Sequence, residues 1–260
     1  MAERVDDLQL KGLKIIQNPE AFCFGIDAVL LANQVRLKPR DRVMDLGTGN
    51  GIIPLLLAGK STTAAIEAIE LQEDMADMAR RSVDLNDLSR RITIHTGDIR
   101  SIPEEHEKSV YDVVTGNPPY MHCKGLINPK EKKAIARHEV ACDLEDVIRG
   151  AESLLRTHGR LYLVHRPNRL ADLLALMKAY RIEPKALTFV QPKMNKPPNL
   201  ILVEGKKGAN PEMTVHKPLI IYQDNGEYTR EVLALYQQEN IEWGHSNEKK
   251  QEQEESRRNR

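Results

Sequence analysis

From Arg42 the chain reads "RVMDLGTGNGIIPLLLAGK" and, three residues on, "AAIEAIEL". A strand-length apolar run, three glycines at alternate positions, a helix-length apolar run and a second strand-length run make a βαβ unit, whose two strands lie parallel in one sheet. The rhythm continues. An amphipathic helix is expected from Gln72 to about Leu85, with Met75, Met78, Ala79 and Val83 at helical spacing as core. "RITIHTGD" and "YDVVTGN" read as the third and fourth strands, a helix follows from Leu144 to Leu155, "GRLYLVHRP" is the fifth strand, and another helix runs from Leu170 to Tyr180. "KALTFVQP" and "NLILVEGKK" complete seven strands. The loop between them, "PKMNKPP", is too short for a crossover helix, so these two must run antiparallel in an otherwise parallel α/β sheet.

A chain of 260 residues with 40% hydrophobic content can bury one substantial core with additions. Its first ten residues, "MAERVDDLQL", are too charged for a signal peptide, and no segment approaches the roughly 20 apolar residues of a membrane span. A cytoplasmic protein without membrane contact is expected. Cys23, Cys123 and Cys142 are too few and too scattered for a disulfide framework and are read as reduced. His122, Cys123, His138 and Cys142 lack the spacing of a metal site, so no metal is expected.

Thirty-eight Lys and Arg balance thirty-eight Asp and Glu, which argues against a general polyanion binder. The distribution is uneven. Arg156 to Lys207 holds eleven basic residues, among them Arg166, Lys193 and Lys196, against Asp172, Glu183 and Glu204. Such an excess can follow a phosphate backbone, or it can be a face balanced by acids from elsewhere in the fold.

In an open parallel sheet, ligands sit beyond the carboxyl ends of the strands at the topological switch point. Three sequence features fall there. In "DLGTGNG", Gly47, Gly49 and Gly51 allow a tight turn and close approach by a ligand, and Asp45 can accept from a cationic or hydroxyl-bearing group. A dinucleotide fingerprint would place glycine where Ile52 stands. Glu70 ends the second strand about 20 residues beyond the turn, where a ribose diol is usually held. Asp98, in "TGDI", can accept from an adenine amino group while Ile99 packs on its ring. Together they describe a nucleoside pocket better suited to S-adenosylmethionine than to a dinucleotide. The fourth strand then ends in Asn117-Pro118-Pro119-Tyr120, a stiff, non-helical corner, because proline fixes φ and pushes the residue before it away from helix.

These motifs, in this order, resemble the class I S-adenosylmethionine-dependent methyltransferases that act on amino groups. The resemblance covers roughly residues 10 to 207 and implies a Rossmann-like fold with helices on both faces of the sheet. In that family the Asn side-chain carbonyl and the first proline's backbone carbonyl accept from a planar amine, and the tyrosine stacks on the substrate. Asn117, Pro118 and Tyr120 would take those parts. The stretches "FCFGIDAVLLAN", "ARHEVACDLEDVIRGAESLL" and "PPNLILVEGKKG" extend the likeness to the bacterial tRNA1(Val) (adenine37-N6)-methyltransferases, up to about Tyr228. By that analogy Phe24, Gly25 and Asp27 cover the cofactor. Asp45, Gly47, Thr48, Gly49, Asn50, Gly51, Glu70, Leu71, Asp98, Ile99 and Asn117 hold it. Pro119, Tyr120, Arg166, Lys193 and Lys196 face tRNA, and a monomer is expected.

The implied organisation is an N-terminal extension with a hairpin and helix over 1–40, a methyltransferase domain over 41–207, a C-terminal extension over 208–243 and a disordered tail over 244–260. Three alternatives share parts of the pattern. Glutamine methylation of a release factor uses the same corner but a helical domain ahead of the glycine turn, where only 44 residues stand. DNA adenine methylation usually adds a target-recognition region. A non-catalytic nucleoside-binding module would have no use for Asn117 to Tyr120.

Overall fold

The structure, a computed structural model, describes residues 3–19, 23–62, 64–118, 120 and 143–237. The chain opens with an antiparallel hairpin, β1 (Arg4–Asp7) and β2 (Lys14–Gln17), and a helix, α1 (Ile26–Gln34). The alternating region follows as β3 (Arg42–Leu46), α2 (Ile52–Lys60), β4 (Ala65–Glu70), α3 (Glu73–Leu85), β5 (Ile92–Thr96), the single turn α4 (Ile102–Glu105) and β6 (Tyr111–Gly116). After the next described residue, Asp143, come α5 (Leu144–Leu154), β7 (Leu155–His165), α6 (Leu170–Ala179), β8 (Ile182–Gln191) and β9 (Leu200–Lys207). Two two-residue strands, β10 (Thr214–Val215) and β11 (Leu219–Ile220), precede a last described helix, α7 (Arg230–Gln237). Among the described residues no helix is long and apolar enough to cross a membrane.

The sheet runs β10-β8-β9-β7-β6-β3-β4-β5, with β11 also on β8. It is parallel except for β9, which lies antiparallel to both β7 and β8. The seven expected strands are therefore present with the expected mixed direction, and β10 and β11 extend the sheet beyond β8. Successive strand residues face opposite sides, and here both sides are apolar. Val43, Val113, Tyr162, Val164 and Leu202 join one core with α1, α2 and α3. Met44, Val114, Leu161, Leu163 and Ile201 join a second core with α5 and α6. A sheet covered by helices on both faces is the setting in which parallel strands are stable, because neither face has to meet water.

The chain path fixes where a ligand can sit. From β3 it steps outward through β4 to β5, then returns to place β6 on the other side of β3. The switch point lies between β3 and β6, where Leu46 pairs with Gly116. Asn117 and the glycine turn both begin there.

Candidate active site

Gly47, Gly49 and Gly51 all have positive φ, 70°, 59° and 85°. At Gly51, which caps the N-terminus of α2, an added Cβ would lie 3.1 Å from the Ala79 Cβ on α3. The turn is thus compatible with glycine on two independent grounds, conformation and space. It is tied to β4, since the Gly47 and Thr48 amides donate to the Ile69 carbonyl at 2.9 and 3.1 Å.

Glu70 is 7% exposed, and its carboxylate organises the turn from beneath. Oε2 accepts from the Gly49 amide at 2.8 Å and Oε1 from the Gln72 amide at 3.0 Å. Each oxygen keeps a second acceptor site for a ligand hydroxyl. Leu71, the next residue, is 42% exposed and offers an apolar face at the same strand end.

Asp45 is completely buried. Its Oδ1 accepts from the Thr115 hydroxyl at 2.5 Å, across a pair of residues directly opposite in β3 and β6. Its Oδ2 has no protein partner. Burial pushes the Asp45 carboxyl up to about 7, against the Thr115 and Thr48 hydroxyls, which favour the ionised form, and with a small addition from the Glu70 charge. Thr48 Oγ1 lies close enough to Asp45 to favour its ionised form but makes no well-formed hydrogen bond, and Asn50 Oδ1 also lacks a partner. Unsatisfied buried groups are costly, and three of them on six consecutive residues make a surface suited to a polar ligand.

Beyond β5, Asp98 begins a short helical turn and is engaged by Arg100, whose backbone amide donates at 2.9 Å and whose guanidinium spans both carboxylate oxygens. The Arg100 hydrogen bonds hold the Asp98 carboxyl below its ordinary value. Ile99 lies between Gly47 and α5, its Cδ1 3.7 Å from where a Gly47 Cβ would stand and its Cγ2 3.4 Å from the corresponding point at Gly150. Ile99 and Leu71 are the apolar positions from which a ring beside the glycine turn can be gripped.

The corner after β6 meets the N-terminal extension. The Tyr120 hydroxyl lies 2.7 Å from Asp27 Oδ2 and 2.6 Å from Asn117 Oδ1. Burial and the Asp27 charge raise the Tyr120 phenol well above its ordinary range, so it keeps its proton. The Arg166 guanidinium sits 4.7 Å over the Tyr120 ring, and the His165 ring meets Tyr120 edge-on at 5.5 Å. Arg166 also donates to the Asn199 carbonyl at 3.0 Å, joining the loop after β7 to the one before β9.

The structure therefore brings Asp45, Gly47 to Gly51, Glu70, Leu71, Asp98, Ile99, Asn117, Pro118, Tyr120 and Arg166 to one rim. Gly25 caps α1 beside Asp27. Phe24 lines a cavity of about 430 Å³ with Leu8, Leu10, Lys60, Tyr228 and Tyr236, and none of the glycine-turn residues line it. Lys193 and Lys196 lie in the loop at the carboxyl end of β8, the Lys193 amine donating to the Asp224 carbonyl at 3.1 Å. Pro119, His122, Cys123, His138, Cys142 and the 244–260 tail lie outside the described residues. Sequence reasoning missed Thr115 and His165. Thr115 becomes visible only once the β3–β6 register is known, and nothing local marks His165.

A doubly wound sheet with a glycine turn and strand-end acids at its switch point defines an α/β protein that binds a nucleoside-type ligand. Residues 12–180 match the family model described as methyltransferase small domain, and the chain belongs to that family. It is 32% identical to the tRNA1(Val) (adenine(37)-N6)-methyltransferase of Porphyromonas gingivalis over 88% of this chain and 93% of that protein. It is 29% identical to the protein of the same name from Tolumonas auensis, over 86% and 92%. Among solved structures, a predicted O-methyltransferase from Agrobacterium tumefaciens superposes with a TM-score of 0.67 at 27% identity, over 83% of this chain and 100% of that one. Geranyl diphosphate C-methyltransferase from Streptomyces coelicolor, at 12% identity and a TM-score of 0.55 over 70% and 80%, shares the fold.

Proposed function

We propose that this chain is an S-adenosylmethionine-dependent methyltransferase that modifies N6 of an adenine in tRNA, with adenine 37 of tRNA1(Val) as its target. The observation that carries the cofactor is the trio of unpartnered buried atoms on Asp45, Thr48 and Asn50. The acidic, buried Asp45 suits a cationic amine, and the remaining acceptor sites of Glu70 suit a ribose diol. Leu71 and Ile99 would hold the adenine ring, and Asp98 would accept from its amino group with the acceptor capacity that Arg100 leaves free. Bound there, S-adenosylmethionine supplies an electrophilic methyl group on a sulfonium.

The target class rests on the corner and on the names of the relatives. An adenine amino group is planar because its lone pair is delocalised into the ring. Two acceptors, the Asn117 side-chain carbonyl and the Pro118 backbone carbonyl, draw its two hydrogens out of plane and expose the lone pair to the methyl group. Positioning of this kind supplies much of the rate, and no strong base is required, because the methylated amine is cationic and loses a proton readily. A hydroxyl has a single hydrogen and would leave one acceptor idle, so the corner favours an amine over the oxygen nucleophile in the Agrobacterium protein's name. Tyr120 offers a ring on which an unstacked base can lie once Arg166 moves off its face. Arg166, Lys193 and Lys196 sit on the same rim, where they can meet phosphate.

The test is to incubate the protein and labelled S-adenosylmethionine with tRNA from a strain lacking the enzyme, then map the methylated nucleoside by mass spectrometry. N6-methyladenosine in tRNA1(Val) is expected. Label in protein or DNA and none in tRNA would overturn the reading.

A further inference from the structure

The Tyr120 hydroxyl is within hydrogen-bond distance of two oxygens, Asp27 Oδ2 at 2.7 Å and Asn117 Oδ1 at 2.6 Å. A phenol carries one proton and can donate only once. The carboxylate is the stronger acceptor, because a charge-assisted bond is roughly twice as strong as a neutral one. With the proton committed to Asp27, a carbonyl oxygen of Asn117 facing the phenol oxygen would be a repulsive contact. The two ends of an Asn amide are nearly the same shape and are assigned from their hydrogen bonds. The arrangement without repulsion places the Asn117 Nδ2 group against Tyr120 as donor and turns the carbonyl oxygen to the opposite side, open to a substrate.

We propose that Asp27 is a positioning residue: by holding the Tyr120 proton it fixes which end of the Asn117 amide faces the substrate amine. The proposal deepens the amino-group methylation reading and rests on it. Without Asp27, the phenol donates to the Asn117 carbonyl oxygen and occupies the acceptor that catalysis needs. The geometry supports rigid transmission. Asp27 Oδ1 accepts from the Ala28 amide at 2.9 Å, which fixes the carboxylate at the start of α1, and a Cβ on Gly25 would come within 2.8 Å of the same oxygen. On the other side the His165 ring meets the Tyr120 ring edge-on at 5.5 Å, a contact that remains when Arg166 leaves the ring face. This role differs from cofactor contact, because it predicts that Asp27 acts on turnover and leaves cofactor affinity unchanged.

The experiment uses the full chain with Asp27→Ala, Asp27→Asn, Tyr120→Phe and the Asp27→Ala/Tyr120→Phe double variant. On an unmodified tRNA1(Val) transcript, kcat should fall on the order of 10- to 100-fold in Asp27→Ala, with KM for tRNA and calorimetric affinity for S-adenosylmethionine near wild type. Asp27→Asn retains an acceptor and should recover most of the loss. The double variant should be no worse than Tyr120→Phe alone, because both changes break one chain of contacts. A second readout needs no substrate: in ¹⁵N spectra of the free protein, the Asn117 side-chain amide, identified by its disappearance in Asn117→Ala, should shift in both Asp27→Ala and Tyr120→Phe. Additive losses, lost cofactor affinity in Asp27→Ala, or an Asn117 amide indifferent to Asp27 would each overturn the proposal. A wild-type protein that leaves the transcript unmethylated would overturn the substrate reading instead, and the amide signal would still decide the role of Asp27.

Discussion

Asp45 sets a local conflict between stability and binding. Its unfolded carboxyl titrates near 3.8, and burial raises the folded one to about 7. A raised carboxylate value means that the folded state holds the proton more tightly, so the ionised form works against folding. The penalty is absent below about pH 3.8 and complete above about pH 7. Stability contributed by this site should therefore decline as pH rises between those limits, and Asp45→Asn should flatten the decline in denaturant titrations run across pH. A cationic ligand group reverses the preference. Cofactor binding near pH 6.5 should release up to one proton in wild type and none from this site in Asp45→Asn, as read by calorimetry in buffers of different ionisation enthalpy. Asn117→Ala makes a contrasting case: it removes one of two preorganised acceptors from a corner already set by proline, and should lower kcat by about 10²- to 10³-fold while sparing cofactor affinity. Wild-type single-turnover rates in that variant would reduce the corner to a turn.

At the scale of elements, the glycine turn shows how one residue can serve packing and site together. Gly51→Ala must place a side chain at φ 85° and within 3.1 Å of Ala79. A non-glycine residue held in the left-handed region costs on the order of 1–3 kcal/mol, and urea titration should show a loss of at least that size. Cofactor affinity should fall with it, since the start of α2 carries the turn. Such elements were legible because their signals are local: the 3.6-residue spacing of α3, the two-sided apolar strands and the glycine run all lie within single windows of sequence. The contacts that complete the site were not local. Tyr120 meets Asp27 93 residues away, and Asp45 meets Thr115 70 residues away. No periodicity encodes a partner at that distance, so the motifs pointed to the residues while their mutual bonds awaited the sheet register. The cavity that Phe24 lines together with Tyr228 and Tyr236, residues far along the chain, is another contact that no single window of sequence encodes.

Across the whole molecule, eight of the eleven basic residues of the segment fall into two groups. Arg156, Arg160, Arg169, Lys178 and Lys207 form ion pairs with Asp112, Asp41, Asp172, Glu183 and Glu152. Asp112, Asp41 and Glu152 lie outside the segment and answer part of the local excess read from the sequence, whereas Asp172 and Glu183 belong to the segment itself. Arg166, Lys193 and Lys196 follow the ends of β7 and β8, two strands whose carboxyl ends lie at the same edge as the glycine turn and Asn117. The C-terminal extension braces this edge: the Tyr222 amide donates to the Pro192 carbonyl at 2.9 Å, and Lys193 reaches the Asp224 carbonyl. A small cluster aimed at one rim, in a chain of zero formal net charge, should bind tRNA in a defined orientation without general affinity for polyanions. Each phosphate neutralised contributes about −0.7 to −0.9 to the slope of log K against log salt. Replacing Arg166, Lys193 and Lys196 together with Glu should make that slope shallower by about two to three and weaken tRNA binding most at low salt, with S-adenosylmethionine affinity and the circular dichroism spectrum unchanged. Charge reversal of Arg156 and Lys178, which are already paired, should alter the slope far less. Equal effects from the two sets, measured by filter binding over a salt series, would place the phosphate contacts elsewhere on the molecule.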